Sequence, residues 1–329
     1  MRAENMRRLT VQLVCRQFLR LIIETRELTL ALLIVALIIA TWLASPFFFS
    51  MANFRAITVG MAPTAIIAIG MTMLLASGGF DLSVGSVLAL ASTIVALLII
   101  DGWPIPLAVL AALALGAAIG LANGLVVTKI NVNPLVATLG SMSIARGIAL
   151  VLTEGFSLSN LPAAFAWAGK AQFIGVPFLV WTTLGLVVLF DLAMRHVRFF
   201  RQIYYIGSNE RAARLSGLPV ERVRIVAYML SGLLAALAGV LLASRLMSGT
   251  PTAGAGLELQ VLAAAVIGGA SLRGGEGTVL GAFLGVIFVA LINNAMTMLA
   301  VSIYWQMIVT GTVLVAAVAL DMLVRRGNE

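Results

Sequence analysis

Long apolar runs without a charged residue are the feature that most constrains the fold of this chain. Seven such runs occur, at residues 28–45, 56–76, 84–100, 105–127, 225–244, 278–301 and 303–320. Each is close to the roughly 20 residues that a helix needs to cross a bilayer. Hydrophobic residues make up 61% of the chain and charged residues 10%, a composition that no soluble domain of this size could bury. The sequence therefore predicts a polytopic membrane protein.

Three further segments complete the predicted set of membrane spans. Residues 132–152 and 173–194 have the right length but contain Arg146 and Asp191. Residues 259–272 are apolar but short, so a full crossing and a re-entrant segment both remain open. The fold class predicted is all-α, with about ten transmembrane helices.

The distribution of basic residues predicts the orientation in the membrane. If the N-terminus is cytoplasmic and the sides alternate, all but four of the 21 Lys and Arg residues lie on the inside or at the termini. The exceptions are Arg55, Lys170 and Arg245 outside and Arg146 within a span. This asymmetry follows the positive-inside rule. Both termini are therefore predicted to be cytoplasmic, and the net charge of +8 needs no nucleic-acid partner to explain it.

The chain divides into a membrane domain and short flanking segments. Residues 1–27 combine basic and apolar positions in a pattern typical of an amphipathic helix on the inner membrane surface, and the membrane domain covers residues 28–324. It contains a long cytoplasmic loop at 195–224, and residues 325–329 form a cytoplasmic tail. Two Gly/Ser-rich interruptions, at 77–86 and 248–258, each carry one carboxylate. Interruptions of this kind in both halves favour a pathway through the protein and a possible five-plus-five inverted repeat.

Residue types exclude several kinds of chemistry. With one His, His196, and one Cys, Cys15, we expect no disulfide, no Cys/His metal site and no catalytic Ser/His or Cys/His pair. Lys129 and Lys170 are the only lysines, and neither belongs to a phosphate-binding G-x-x-x-x-G-K-[ST] loop. If ATP drives this protein, another subunit must bind it.

The cytoplasmic loop contains a predicted docking helix. Ser208 and Asn209 can cap a short helix that begins at Glu210 and ends near Gly217. Small residues on this helix would let another protein approach closely, and two arginines flank them. The alternative is a basic loop bound to lipid headgroups. The candidate docking residues are Glu210, Arg211, Ala212, Ala213, Arg214 and Gly217.

Four ordered motifs resemble one family. Glu210-x-Ala-Ala-x-x-x-Gly217 resembles the coupling loop of permease subunits in ATP-binding-cassette importers. Residues 77–86 (SGGFDLSVGS), 251–259 (PTAGAGLEL) and 266–277 (VIGGASLRGGEG) resemble the permeases of ribose, arabinose and related monosaccharide importers. The likeness runs from about residue 28 to 324. Phe80 fills a position that is aliphatic in the family pattern, which leaves the exact solute open.

The resemblance implies a translocation subunit without catalytic residues, metal or cofactor of its own. It implies a bacterial inner-membrane location and three partners: an ATPase subunit that uses ATP and Mg²⁺, a periplasmic substrate-binding protein, and a second permease, identical or related. It also implies that Glu210 to Gly217 contact the ATPase. A bulky charged residue at Ala213 is then expected to abolish coupling without affecting the fold.

Polar residues at membrane depth must face the protein interior or a water-filled path. The candidate pathway or gate residues are Asp81, Ser83, Asn123, Arg146, Asn293 and Asn294. Alternatives remain: Asp81 could instead cap the third span, the two asparagines on the ninth span could join helices, and the partner of Arg146 is open. Arg245 and Glu258, at predicted outer ends of spans, are candidates for docking the binding protein.

The predicted function is import of a neutral polar monosaccharide, with an autoinducer-2-type furanone or a nucleoside as alternative solutes. The competing class is a self-sufficient secondary transporter or channel, which would need intramembrane acids for ion coupling. Asp191 is the main candidate for such an acid. A membrane enzyme would need a cluster of titratable groups at one depth, and the sequence offers none.

Overall fold

The computed structural model describes residues 26–326 of the chain, and this range is mainly helical. The helices are α1 (Arg26–Ala44), α2 (Met51–Ala76), α3 (Val84–Ile100), α4 (Ile105–Lys129), α5 (Pro134–Thr153), α6 (Trp167–Lys170), α7 (Phe178–His196), α8 (Arg198–Ser208), α9 (Glu210–Leu215), α10 (Val220–Leu246), α11 (Leu257–Ile267), α12 (Val279–Met298) and α13 (Ile303–Arg326). A 3-10 turn at Ala163–Ala166 precedes α6, and strands β1 (Gln172–Phe173) and β2 (Val176–Pro177) form an antiparallel hairpin.

Each of the ten predicted spans corresponds to a helix. Within residues 26–326, seven helices are long and apolar enough to cross a membrane, namely α1, α2, α4, α5, α7, α10 and α12. Helices α3 and α11 are shorter apolar helices, and α13 has 24 residues. The all-α polytopic fold is therefore confirmed. The interfacial helix predicted for residues 1–27 and the tail at 325–329 lie outside the described residues, apart from the ends of α1 and α13.

Helix α10 lies at the centre of the bundle and packs against α2, α3 and α4. The glycines of α4 allow its close approach to α10: a Cβ on Gly120 would lie 2.9 Å from the Cα of Met229, and one on Gly124 would lie 2.9 Å from the Cα of Ile225. Contacts this short require glycine, and close backbone packing of this kind stabilises helix pairs in lipid. The four-residue glycine spacing of α4 thus serves helix packing.

Pro63 divides α2 into two parts. A proline has no N–H to donate to the carbonyl four residues before it, so the Val59 oxygen loses its helical partner. Arg245, at the end of α10, donates to that oxygen from Nη1 at 3.2 Å. From Pro63 to Ala76 all but one residue of α2 are buried, whereas most residues before Pro63 are at least partly exposed.

Two non-helical segments interrupt the bundle at the positions that the sequence predicts. We call residues 77–83, between α2 and α3, the first break, and residues 247–256, between α10 and α11, the second break. The second break runs antiparallel to α3, since Gly249 packs near Ser92 and Gly254 packs against Gly85. The chain therefore turns back into the bundle after α10.

Helix α11 begins inside the bundle, at the end of the second break. Its 11 residues extend only about 16 Å at 1.5 Å per residue, so α11 alone has about half the length that a helix needs to cross the bilayer core. Breaks before the third and the eighth spans are also the arrangement that a five-plus-five repeat predicts.

Candidate translocation and coupling sites

Following the predicted orientation, we call the end of the bundle that carries residues 195–224 the inner end. Here α9 forms as predicted: Asn209 Oδ1 accepts a hydrogen bond from Ala212 N at 2.9 Å, and Gly217 ends the turn with a φ of 77°. Arg211 and Ala212 are exposed, and the side chain of Leu215 is 83% exposed. A short helix thus presents one apolar side chain and one guanidinium away from the bundle.

Ala213 lies on the opposite face of α9 and is only 4% exposed. The prediction that it belongs to a free docking surface is therefore wrong. Its methyl group packs into the main apolar core of the bundle. A bulky charged residue here would disturb the folding of α9 before it disturbed any partner. Sequence reasoning also missed Leu215, although a leucine directly after a basic helical turn in a polar loop could have indicated it.

A network of ion pairs fastens α9 to the bundle. Glu210 pairs with Arg214 at 2.9 Å and with Arg224 of α10 at 2.7 Å. Glu221 pairs with Lys129 at the end of α4 and lies 3.8 Å from Arg214. Burial acts to raise the pKa of the Glu210 carboxyl, but hydrogen bonds and charges from Arg214 and Arg224 outweigh it and lower the pKa below its ordinary value. Glu210 is therefore ionised at neutral pH and holds α9 in place.

The first break is held from α10 by two side chains. Arg224 donates to the Ser77 carbonyl from Nη2 at 3.1 Å and from Nε at 3.3 Å. Tyr228, one helical turn further, donates its hydroxyl to the Phe80 carbonyl at 3.1 Å and is itself fully buried. The carbonyl of Ala76 accepts from Gly275 N at 2.9 Å. The backbone groups left free at the end of α2 are thus satisfied by side chains and by the Gly-rich turn after α11.

Asp81 joins a buried polar network within the first break. Its Oδ1 accepts from Ser83 N at 2.8 Å and from Ser83 Oγ at 2.6 Å. Asn123 Nδ2 of α4 donates to Ser83 Oγ at 3.1 Å, and Ser141 of α5 donates to Asn123 Oδ1. Helix α3 starts at Val84 with Ser83 at the N-cap, so Asp81 closes a turn before the helix rather than capping it directly. The structure therefore brings together Asp81, Ser83 and Asn123.

One oxygen of the Asp81 carboxylate lies outside this hydrogen-bond network. Among the described residues, Asp81 Oδ2 is buried and has no hydrogen-bond partner. An unsatisfied buried carboxylate oxygen costs free energy and often marks a site with a role beyond packing.

The second break is held by Arg146 of α5. Its Nη1 donates to the Pro251 carbonyl at 2.8 Å and to the Ala253 carbonyl at 2.7 Å. These backbone oxygens are the partner that the sequence left open. Arg146 therefore acts on the second break as Arg224 acts on the first, while Asp81 and Asn123 lie in a separate network.

A cavity of about 310 Å³ lies between α2, α11 and α12. Its polar lining includes Thr64, Gln260, Asn293 and Thr297, and none of its lining residues is charged. Asn294 also borders it, but its Nδ2 donates to Asn53 Oδ1 at 2.6 Å and its Oδ1 accepts from Asn53 Nδ2 at 3.2 Å. Asn293 is thus the better pathway candidate, and Asn294 joins α12 to α2.

The two residues predicted to dock a binding protein point inward. Arg245 is partly buried and donates to the Val59 carbonyl of α2. Glu258, in the first turn of α11, has a buried Oε2 without a hydrogen-bond partner in the described part of the chain, and this oxygen would lie 2.6 Å from a Cβ on Gly85. Both residues are thus partly buried, with a polar group turned toward the bundle.

Asp191, the acid on which a secondary transporter would depend, has partners for both oxygens. Oδ2 pairs with Arg195 at 2.6 Å, and Oδ1 accepts from Leu280 N at 3.1 Å. Leu280 lies in the first turn of α12, where a carboxylate stabilises the positive end of the helix. Asp191 therefore connects α7 to α12. Within residues 26–326, the structure has no group of three or more His, Cys, Asp or Glu residues that could hold a metal ion.

Comparison with known proteins places this geometry in a family. Residues 53–318 match the model of the family described as "Branched-chain amino acid transport system / permease component". The chain is 41% identical to the ribose import permease protein RbsC of Escherichia coli strain K12 over 93% of this chain and 96% of the relative. It is 40% identical to RbsC of Bacillus subtilis strain 168 over 87% of this chain and 89% of the relative.

The similarity extends to a second sugar system. The chain is 38% identical to the L-arabinose transport system permease protein AraH of Escherichia coli strain K12, over 87% of each chain. No solved structure matches the chain significantly. The protein, a multi-pass membrane protein, therefore belongs to this family of transport-system permease components.

Proposed function

We propose that this protein is the membrane-spanning half of an ATP-binding-cassette importer, and that it moves a neutral monosaccharide of the ribose or arabinose class into the cytoplasm. A separate ATPase subunit would hydrolyse ATP with Mg²⁺ and dock on α9. The observation that carries this proposal is the anchored helix α9. Its inner face packs on the bundle through Ala213, while Leu215, Arg211 and Ala212 are exposed for a partner.

The lining of the cavity supports a neutral, hydrogen-bonding solute. Amide and hydroxyl side chains, such as Gln260, Asn293 and Thr64, can donate to and accept from sugar hydroxyls. A charged substrate would instead need a compensating charge at this depth. The relatives at 38% to 41% identity are named for ribose and L-arabinose, which supports a pentose over a furanone or nucleoside.

The proposed partners follow from the same family. A substrate-binding protein would deliver the sugar on the outer face, and a second permease, identical or related, would complete the pathway. Because Arg245 and Glu258 point inward, we propose that the binding protein contacts other charged residues of the outer loops. Glu154 and Lys170 are exposed there. The membrane is proposed to be the bacterial inner membrane.

The test is purification of the tagged chain from its native membranes in mild detergent, followed by mass spectrometry and reconstitution. We expect an ATPase subunit in about equal amount and ATP-dependent uptake of ribose or arabinose into vesicles. Uptake by the chain alone, without an ATPase, would instead establish a secondary transporter or channel. An Asp191→Asn variant separates these further: ATP-driven import should keep its dependence on ATP, whereas an ion-coupled carrier would lose its coupling.

A pair of neighbouring alanines tests the docking surface. Ala212→Arg places a bulky charge on the exposed face of α9, so we expect loss of the ATPase from the purified complex with unchanged membrane insertion. Ala213→Arg places the same group in the core, so we expect reduced yield and stability of the chain itself. Retention of a full complement of ATPase by Ala212→Arg would reject α9 as the docking helix.

A further inference from the structure

Arg224 contacts both the coupling helix and the first break. One edge of its guanidinium group pairs with Glu210 Oε2 of α9 at 2.7 Å through Nη1. The other edge, formed by Nη2 and Nε, donates to the Ser77 carbonyl at 3.1 and 3.3 Å. Ser77 is the C-cap of α2 and the first residue of the first break. A single side chain thus connects the surface helix to the point where α2 ends.

The guanidinium group is suited to this bridge. It is planar and rigid, and its donors lie at fixed angles, so a displacement of one bonded partner is passed to the other. Hydrogen bonds from a charged donor are also stronger than neutral ones. A lysine ammonium at this position would be a point charge on a flexible stem and could not hold both partners in a fixed geometry.

The segment that receives the displacement leads directly to buried polar groups. Four residues beyond Ser77 lies Asp81, which is fully buried and is bonded through Ser83 to Asn123. One of its oxygens has no hydrogen-bond partner in the part of the chain that the structure describes. Tyr228 holds the middle of the segment at Phe80. Because Tyr228 holds Phe80 in place, movement of Ser77 would bend the first break between these two residues and shift the Asp81 network.

We propose that Arg224 is the positioning residue that transmits movement of α9 to the first break, so that events at the ATPase change the conformation around Asp81. This rests on the proposed function, in which α9 receives the ATPase. Arg224 does not contact the solute or the ATP, and its role is to make the movement of α9 and that of the first break interdependent. After removal of this bridge, the ATPase should stay bound and continue to hydrolyse ATP, while less sugar is transported for each ATP consumed.

The experiment compares three variants of the full importer in proteoliposomes. Arg224→Gln shortens the side chain and removes its charge, so it cannot hold both partners. Glu210→Gln weakens the α9 side of the bridge and leaves the bonds from Arg224 to Ser77 intact. Arg222→Gln is the matched control, because Arg222 lies two residues away on α10 and is exposed. For each we would measure bound ATPase, ATP hydrolysis, and ATP consumed per sugar imported.

For Arg224→Gln we expect bound ATPase and continued hydrolysis, with ATP consumed per sugar raised at least about fivefold, the lower range of typical coupling between two sites. Glu210→Gln should also raise the ATP consumed per sugar, and Arg222→Gln should leave it unchanged. Arg224→Lys, which keeps the charge, should recover part of the coupling. A purely structural role would lower the amount of folded protein but not this ratio.

The outcomes distinguish this inference from the proposed function. Suppose that the unaltered protein imports sugar with ATP, and that Arg224→Gln and Glu210→Gln consume the same amount of ATP per sugar as it does. Arg224 is then not the transmitting residue. If Arg224→Gln does not fold, Glu210→Gln decides, since its side chain is partly exposed. If the unaltered protein binds no ATPase, the proposed function fails before the variants are compared.

Discussion

The two breaks in the bundle are built alike and connected differently. In each, an arginine from a neighbouring helix donates to backbone carbonyls: Arg224 to Ser77 in the first break, and Arg146 to Pro251 and Ala253 in the second. Each break is also close to a carboxylate with one buried oxygen that has no hydrogen-bond partner among the described residues, Asp81 and Glu258. Where a helix is interrupted at membrane depth, the freed carbonyls need hydrogen-bond donors from within the protein. Both breaks have an arginine side chain as this donor.

The surroundings of the two arginines differ. Arg224 also pairs with Glu210 of the exposed helix α9, so the first break is joined to a surface that a partner can move. Arg146 bonds the second break from α5, and α11, which follows that break, carries Gln260 into the cavity. The comparison indicates a division of labour: the first break responds to the inner surface, and the second positions the helix that lines the solute cavity.

The contact between the second break and the start of α3, directly after the first break, provides the strongest test. Gly85 and Gly254 approach so closely that a Cβ on Gly254 would lie 2.8 Å from the Gly85 oxygen, and a Cβ on Gly85 would meet the Gly254 carbonyl. For Gly85→Ala we expect a loss of about 3 kcal/mol in the free energy of unfolding, because backbone must shift to admit the methyl group. Thermal and denaturant unfolding in detergent would measure it.

Gly147→Ala on α5 is the control for this substitution. No atom lies within 4 Å of a Cβ built on Gly147, so alanine there should be neutral or stabilise the helix by up to about 1 kcal/mol. Equal stability of Gly85→Ala and Gly147→Ala would show that the second break is not in tight contact with the start of α3.

The next largest effect is expected from Arg146→Met, which keeps the length of the apolar stem and removes both hydrogen bonds. The carbonyls of Pro251 and Ala253 would lose a charged donor, and we expect a loss of about 2 to 3 kcal/mol in stability. Limited proteolysis should show the second break more accessible, while the amount of bound ATPase stays unchanged. Loss of the ATPase instead would mean that the breaks are not separate in function.

Much of this architecture could be predicted from the sequence, because apolar runs and basic loops reflect the physics of the bilayer. Among the described residues, a helix forms at each predicted span, and both breaks and helix α9 lie where the pattern indicates. The sequence does not show which small residue of α9 faces the bundle. Ala212 and Ala213 are adjacent and identical, and Ala213 is buried only because the helix turns that position toward the core.

Hydrogen bonds from side chains to distant backbone carbonyls could not be predicted from the sequence either. The partner of Arg146 is a pair of carbonyls more than 100 residues away, and no side-chain pattern encodes a carbonyl. The contact of Arg245 had one signal in the sequence, because Pro63 predicts an unpaired carbonyl at Val59. The sequence does not indicate which side chain donates to that carbonyl. Asn293 and Asn294 differ only because Asn53 lies opposite one of them.

A smaller effect is expected from Asp81→Ala in the first break. The substitution removes the acceptor for Ser83 N and Ser83 Oγ, which should cost about 1 to 2 kcal/mol of stability. It also removes a buried oxygen that has no partner within residues 26–326. Asp81→Asn keeps an acceptor and should be nearly as stable as the unaltered protein. If Asp81 acts in gating, Asp81→Asn should nevertheless lower the rate of uptake, which a transport assay at matched protein levels would detect.

The smallest effect in free energy should come from the cavity. Asn293→Leu removes an amide that lines it, and we expect uptake of the sugar to fall roughly tenfold, equivalent to about 1.4 kcal/mol, with unfolding and bound ATPase unchanged. Asn294→Leu should give the opposite pattern, because Asn53 would lose its buried partner and the protein would unfold more easily. Gln260→Leu, on the helix that follows the second break, should resemble Asn293→Leu. If Asn293→Leu and Gln260→Leu left uptake unchanged, the cavity would be a packing defect and the second break would not position a solute site.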